Sequence, residues 1–161
     1  MKQLSKFRNL VTIVTIPHED PVIRIFMLFT QLAGVTMKYI DSQFYRAHHL
    51  SMIKYMTLKI LSVNGGIMKH SELARWTNTK KHNITTLIER MKQQRLVTTE
   101  RSQKDKRIIN IIITDKGRKL YEQTNNDANK LVKRLMAGMD ESTVLEFEKL
   151  LIIIKGNLEN N

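Results

Sequence analysis

The stretch from His70 to Gly117 reads HSELARWTNTKKHNITTLIERMKQQRLVTTERSQKDKRIINIIITDKG. A short helical segment and a polar break precede a longer helical run, and two β-rich pieces at 96–100 and 108–113 follow around a basic tip at 101–107. The apolar residues of the longer run recur at helix spacing and are Ile84, Leu87, Ile88 and Met91. Helix, tight turn, helix and basic hairpin, in this order, predict a winged helix-turn-helix.

Positive charge is concentrated in the same part of the chain. The 161 residues have a formal net charge of +12, and residues 69–107 carry 11 Lys and Arg against 4 Asp and Glu. A basic field of this density favours a polyanionic partner, and double-stranded DNA is the partner that suits a helix-turn-helix. The alternative is a solvated basic face that serves only solubility.

The longer helix is the predicted recognition helix, which enters the major groove in such domains. Lys donates to guanine, Asn pairs with adenine and a Thr methyl group contacts thymine, whereas half or more of protein–DNA hydrogen bonds reach phosphate or sugar. The pattern therefore predicts a contact surface without assigning residues to bases. Its predicted DNA-binding residues are Thr79 (also the expected cap), Lys80, Lys81, His82, Asn83, Thr85, Thr86 and Arg90.

Four local patterns carry a family resemblance: SELARWTNTKKHNIT, LIERMKQQRLV, KDKR and ITDKGRKL. Together they resemble the DNA-binding domain of the MarR family of bacterial transcription regulators. With the flanking helices, the resemblance extends from about residue 21 onward. Two positions depart from the family pattern: Arg95 stands where a glycine commonly follows the recognition helix, and Lys69 stands where a Ser or Thr usually caps the preceding helix.

The resemblance also assigns roles in the wing. It implies that Arg107 approaches the minor groove and that Asp105 holds the Arg107 guanidinium in position. An arginine gains from the enhanced negative potential of a narrow minor groove, which agrees with this assignment. The alternative is an ordinary polar hairpin tip. The predicted DNA-binding residues of the wing are Arg101, Lys104, Asp105, Lys106 and Arg107.

Further helices are predicted on both sides of this domain. Asp20 and Pro21 open a helix of about 25 residues that ends near Arg46, Ser51 caps the next, and Thr114 with Asp115 opens another. Ile67–Met68 is predicted to pair as a third strand beside the wing, and Asp140 to cap the last helix.

The first and last of these helices carry more apolar residues than one small chain can bury. The last helix has a heptad seam, which predicts a homodimer, although a core-only role gives the same pattern. The predicted interface residues are Val22, Phe26, Phe29, Val144, Phe147, Leu151, Ile154 and Leu158.

These features predict a mainly α fold with a small β-wing. The winged helix-turn-helix DNA-binding domain is expected at 49–113, and the helical dimerisation region at 1–48 and 114–161. No enzyme motif is present, and no cofactor or metal is predicted. His48 and His49 are adjacent on a helix and point about 100° apart, which disfavours shared ligation of one ion.

The predicted function is that of a homodimeric, sequence-specific DNA-binding transcription regulator. A ligand-responsive repressor that binds a pseudo-palindromic operator fits best, and the family resemblance implies a small aromatic or acidic effector. The chain has no cysteine and no apolar run of membrane-spanning length, and a cytoplasmic location is expected. The alternative is a winged-helix protein-interaction module that binds no specific DNA sequence.

Overall fold

The computed structural model describes residues 18–77 and 81–160, apart from the side chains of Lys81 and His82. The chain divides into two compact units, Met1–Thr124 and Asn125–Asn161, with the boundary inside a helix. Helices dominate and accompany one small antiparallel sheet, which confirms the predicted fold class. In chain order the described elements are α1 (Pro21–His48), α2 (Met52–Val63), β1 (Ile67–Lys69), α3 (His70–Trp76), α4 (Lys81–Gln93), β2 (Val97–Arg101), β3 (Ile109–Ile113), α5 (Asp115–Leu135) and α6 (Glu141–Glu159).

Helix α1 begins as predicted. The Asp20 side chain accepts a hydrogen bond from the Val22 N–H at 2.8 Å, and Pro21 occupies the first helical position, where no N–H is needed. The helix extends past the predicted end to His48. It stops there because His49 adopts a left-handed conformation (φ 51°) and donates its N–H to the Tyr45 carbonyl oxygen at 2.8 Å.

Helix α2 is capped by a residue of α1. Ser51 lies at the N-cap position, but its side chain makes no capping hydrogen bond within the described chain. The Met52 N–H donates instead to Asp41 Oδ1 at 2.7 Å. A carboxylate beside a helix N-terminus is favourable because it satisfies an exposed N–H and compensates the helix dipole. The expected Ser51 cap is therefore wrong, and Asp41 ties α1 to α2.

The three strands form a sheet in the order β1-β3-β2, with both pairings antiparallel. Ile67 pairs with Ile112 and Met68 with Ile111, which confirms the predicted third strand. Each fully buried aliphatic side chain contributes about 1.5–3 kcal/mol of burial free energy, so the core under this sheet holds the winged domain together. Its most deeply buried members are Leu58, Leu61, Leu73, Ile84, Met91 and Ile111.

The turn after α4 uses an arginine where the family usually has a glycine. Arg95 has φ 58°, which costs an L-residue about 1–2 kcal/mol. Its N–H donates to the Lys92 carbonyl at 2.8 Å, and the Leu96 N–H donates to the Met91 carbonyl at 2.9 Å. These two bonds form a Schellman motif, and Leu96 is buried beside them. The expected helix end is thus kept without glycine.

Capping residues also open the last two helices. Thr114 Oγ1 accepts the Gly117 N–H at 3.0 Å at the start of α5, and Asp140 Oδ1 accepts the Thr143 N–H at 2.8 Å at the start of α6. Both starts agree with the sequence predictions. In the second unit, α6 buries none of its residues.

Candidate nucleic-acid interface

Helix α4 has one buried face and one polar, exposed face. Ile84, Ile88 and Met91 are buried and Leu87 packs against the same core, which confirms the predicted inward face. Of the predicted DNA-binding residues, those described with their side chains are all exposed: Asn83, Thr85, Thr86 and Arg90. Thr79 and Lys80 lie outside the described residues, and so do the side chains of Lys81 and His82.

Helix α3 supports α4 from inside the domain. Its Leu73 is fully buried, and the Thr77 N–H donates to the Leu73 carbonyl at 3.0 Å where the helix ends. At its start, the Glu72 carboxylate accepts the Lys69 N–H at 3.4 Å and lies 3.4 Å from the Lys69 ammonium. Glu72 thus provides one half of a capping box, which explains why Lys69 is accepted at the cap position.

The wing is the hairpin formed by β2 and β3. Its strands lie within one residue of the predicted ones, and its tip is closed by the Ser102 N–H, which donates to the Ile108 carbonyl at 2.9 Å. Four predicted cations are exposed around this tip: Arg101, Lys104, Lys106 and Arg107. Exposed cations on a protruding hairpin are suited to contact with phosphate.

Asp105 and Arg107 form the best-defined contact of the wing. Asp105 Oδ1 accepts hydrogen bonds from the Arg107 backbone N–H at 2.9 Å and from Nε at 3.2 Å, and Oδ2 lies 3.5 Å from Nη2. These bonds, the backbone one first, lower the pKa of the Asp105 carboxyl below its ordinary value. The Arg107 side chain is still 92% exposed. The carboxylate therefore orients the guanidinium and leaves it open to solvent.

A groove of about 330 Å³ separates the wing from α3 and α4. Two of the residues that line it contact each other: His70 Nε2 of α3 and Thr85 Oγ1 of α4 are 3.2 Å apart. The sequence alone did not indicate this contact, because only the packing of α3 on α4 brings the two residues together. The residues that line the groove are Lys69, His70, Ser71, Thr85, Ile88, Glu89, Thr99, Arg107, Ile108 and Ile109.

The predicted dimer residues are exposed in the single chain. In α1, Val22 and Phe26 are 71% and 61% exposed and Phe29 is partly covered. In α6, described by itself, the whole heptad seam is exposed, from Val144 to Leu158. Large apolar side chains left in water over several turns are typical of a surface that another protein covers.

The described residues hold no group of three or more His, Asp or Glu side chains placed to bind a metal ion. None of their helices is long and apolar enough to cross a membrane.

Helix α3, recognition helix α4 and a basic β-hairpin define a winged helix-turn-helix protein. The MarR family model matches residues 50–108. The HTH-type transcriptional repressor IacR of Pseudomonas putida is 30% identical over 110 residues, which cover 68% of this chain and 65% of IacR. The repressor MdtR of Bacillus subtilis is 26% identical over 81 residues, which cover 50% of this chain and 52% of MdtR.

Solved structures share the fold across most of the chain. AbsC, a MarR family regulator from Streptomyces coelicolor, is 21% identical with a TM-score of 0.81 over 91% of this chain and 100% of that one. Sco3205 from the same organism, in complex with DNA, is 17% identical with a TM-score of 0.80 over 89% of this chain and 92% of that one. The regulator RdhR-CbdbA1625, bound to 2,4-dichlorophenol, is 20% identical with a TM-score of 0.72 over 91% of this chain and 89% of that one. Residues 50–108 thus match the MarR family model, and most of the chain shares the fold of solved MarR family regulators.

Proposed function

We propose that this protein is a homodimeric, sequence-specific DNA-binding transcription regulator that acts as a repressor. The observation that carries the proposal is the exposed polar face of α4 beside the Asp105–Arg107 pair of the wing. The two matched relatives are both named as transcriptional repressors, which supports this direction of regulation. A DNA partner also supports a cytoplasmic location.

The two elements would divide the work on DNA. Helix α4 offers an amide at Asn83 and hydroxyls at Thr85 and Thr86, groups that read base edges in the major groove. The wing offers Arg107 in an orientation that Asp105 fixes, so less side-chain entropy is lost when it enters a groove. The remaining exposed cations of the wing would neutralise phosphates.

A dimer supplies the second half of the site. The exposed apolar residues of α1 and those of the α6 seam are proposed to be covered by a second copy of the chain. Two recognition helices would then meet successive major grooves about 34 Å apart, so the operator would be pseudo-palindromic. In this scheme residues 1–48 and 114–161 serve dimerisation, and residues 49–113 bind DNA.

Release of DNA is proposed to depend on a small aromatic or acidic effector. A ligand that binds better to one spacing of the two winged domains shifts the dimer toward that spacing and away from DNA. The related regulator solved with 2,4-dichlorophenol supports an aromatic ligand by analogy.

The rival function is docking of another protein without recognition of a DNA sequence. A docking face is expected to expose apolar anchors. The described exposed positions on α4 instead carry Asn83, Thr85, Thr86, Glu89 and Arg90. The polar character of this face favours DNA.

Selection of bound duplexes from a random DNA pool tests the proposal. The full chain should enrich one pseudo-palindromic motif, and its half-sites should be about one helical turn apart. A variant in which Asn83 and Thr86 are both replaced by Ala provides the matched control, because it keeps the wing and the charge of the chain. It should lose the motif and retain weak, salt-sensitive binding to all sequences. No enrichment by the parent would favour the docking function.

A further inference from the structure

A cluster of cations surrounds the turn at the C-terminal end of the recognition helix. Lys54 of α2 donates to Gln94 Oε1 at 3.0 Å, and Lys116 of α5 donates to the Gln94 carbonyl oxygen at 3.0 Å. The next residue of the turn, Arg95, is exposed, and so is Lys119, which follows Lys116 by three residues on α5. We propose that this cluster binds a small free ligand that carries a diphosphate group. Such a site does not depend on DNA binding and goes beyond the proposed function.

The turn that carries Gln94 is separated from the predicted base-reading residues by the lengths of α4 and β2. Helix α4 begins at Lys81, and its 13 residues span roughly 20 Å. Strand β2 runs from Val97 to Arg101 beside the wing tip, and its 5 residues span roughly 17 Å. Phosphates that contact the start of α4 and the wing tip therefore leave the charge of this cluster uncompensated.

No described carboxylate neutralises the cluster. Lys54, Arg95, Lys116 and Lys119 form no ion pair with an Asp or Glu in the part of the chain that the structure describes, although Asp115 directly precedes Lys116. Cations gathered without counter-charge repel one another, and an added anion relieves this repulsion. An ammonium group has three donor protons, so each lysine can keep its bond to Gln94 and still donate to a ligand.

Two residues of the cluster occupy positions that are unfavourable in themselves. Arg95 adopts a left-handed conformation (φ 58°), which costs glycine least. Lys116 lies in the first turn of α5, where the helix dipole disfavours a cation. Residues that cost folding free energy are concentrated at functional sites. Two such costs within one exposed cluster therefore support a binding role.

The arrangement of the two lysines favours a ligand with two linked anionic groups. Lys54 and Lys116 come from different helices and contact different oxygens of Gln94, so a single phosphate beside one ammonium leaves the other unpaired. A diphosphate presents oxygens at both of its ends. The site also continues into a groove of about 450 Å³ on α5, within the usual size range of small-molecule sites. The groove is lined by Lys116, Lys119, Leu120 and Gln123.

Isothermal titration calorimetry of the full chain with inorganic pyrophosphate tests the site, in metal-free buffer at constant ionic strength. The parent should bind one pyrophosphate per chain, and orthophosphate should bind at least about 5-fold more weakly because it pairs with one ammonium. Lys54→Gln and Lys116→Gln should each weaken pyrophosphate binding by about 5-fold, the upper end of the range for one exposed ion pair. A parent that does not bind pyrophosphate overturns the proposal.

Matched variants separate this site from a general effect of charge. Lys133→Gln removes one exposed cation of α5 outside the cluster and should bind pyrophosphate like the parent. If Lys133→Gln, or Arg107→Gln in the wing, weakens binding as much as Lys54→Gln does, the assigned site is wrong. Gln94→Glu keeps both lysines and places a carboxylate where Lys54 now meets an amide oxygen. It should also weaken pyrophosphate binding by about 5-fold, and unchanged binding would contradict the proposal.

A final comparison distinguishes a free ligand from DNA phosphate. The parent saturated with duplex DNA should still bind pyrophosphate, because the start of α4 and the wing tip lie at a distance from the cluster. If the duplex abolishes pyrophosphate binding, the cluster is a contact for DNA phosphate and the assignment to a free ligand is overturned. A chain that binds pyrophosphate but selects no operator overturns the proposed function alone. Thermal unfolding confirms that each variant is folded before its titration is interpreted.

Discussion

The carbonyl oxygen of Leu96 occupies the space that a side chain on Gly117 would need. A Cβ added to Gly117 would overlap this oxygen and would lie 3.0 Å from Ile113 Cγ1. The same oxygen accepts the Thr114 N–H at 3.1 Å. The start of α5 is therefore packed directly against the turn that follows the recognition helix.

Gly117→Ala is expected to lower the free energy of unfolding by about 1–3 kcal/mol, because the added methyl group must displace backbone. Urea unfolding followed by circular dichroism measures this change. Gly34→Ala is the control: an added Cβ there meets nothing within 4 Å, and Ala in a helix interior is favoured over Gly by about 1 kcal/mol. Equal losses in the two variants would contradict the steric explanation.

Arg107→Ala should weaken operator binding by about 1–3 kcal/mol and leave the unfolding temperature unchanged, because the side chain is 92% exposed. Asp105→Asn should cause a smaller loss, since an amide accepts the Arg107 backbone N–H but no longer pairs with its charge. Anisotropy titrations give both values. If Arg107→Ala binds the operator like the parent, the wing assignment taken from the family is wrong for this chain.

Lys106→Ala should weaken binding to all DNA sequences alike. Each lost phosphate contact reduces the magnitude of the slope of log K against log salt by about one. Titrations of the operator and of an unrelated duplex over a range of salt concentrations provide this slope. A slope that stays the same would remove Lys106 from the phosphate contacts.

Leu151→Asp should dissociate the dimer, because it places an unpaired carboxylate in the α6 seam. Operator affinity should fall with it, although every predicted DNA contact remains. Lys149→Asp is the matched control, since it introduces the same residue on the same helix at a heptad position outside the seam. Light scattering at micromolar concentration measures the oligomeric state, and a monomeric parent would exclude the dimer altogether.

Asp140 should make stability depend on acid pH. Hydrogen bonds from the side chain and then the backbone N–H of Thr143, followed by the Ser142 side chain, lower the pKa of the Asp140 carboxyl. The folded-state pKa of this carboxyl lies below the unfolded-state pKa, which is ordinarily about 3.9, so the ionised carboxylate stabilises the folded protein at pH values above about 3.9. This stabilisation is lost as the pH falls through the folded-state pKa. Asp140→Asn does not titrate, so its unfolding free energy should decline less steeply below about pH 4. If urea unfolding shows that the unfolding free energies of the parent and Asp140→Asn decline equally with falling pH, this role of Asp140 is contradicted.

The sequence predicted those features that depend on residues close together in the chain. The caps at Asp20, Thr114 and Asp140 act over two or three residues, and the spacing of Ile84, Ile88 and Met91 determines which face of α4 is buried. Local hydrogen bonds and helical periodicity are readable in this way because the intervening backbone is already fixed. The family motif in the wing pointed to Asp105 and Arg107 for the same reason, since they are two residues apart.

Only the tertiary structure revealed the contacts that join separate elements. Asp41 caps α2 from α1, His70 reaches Thr85 across the helix-turn-helix, and Leu96 excludes a side chain at Gly117. In each case core packing brings the two partners together, and the identity of one residue does not predict which residue it contacts. Many polar side chains would satisfy the same local pattern, whereas a single packed core selects one pair, because close packing leaves each side chain few positions.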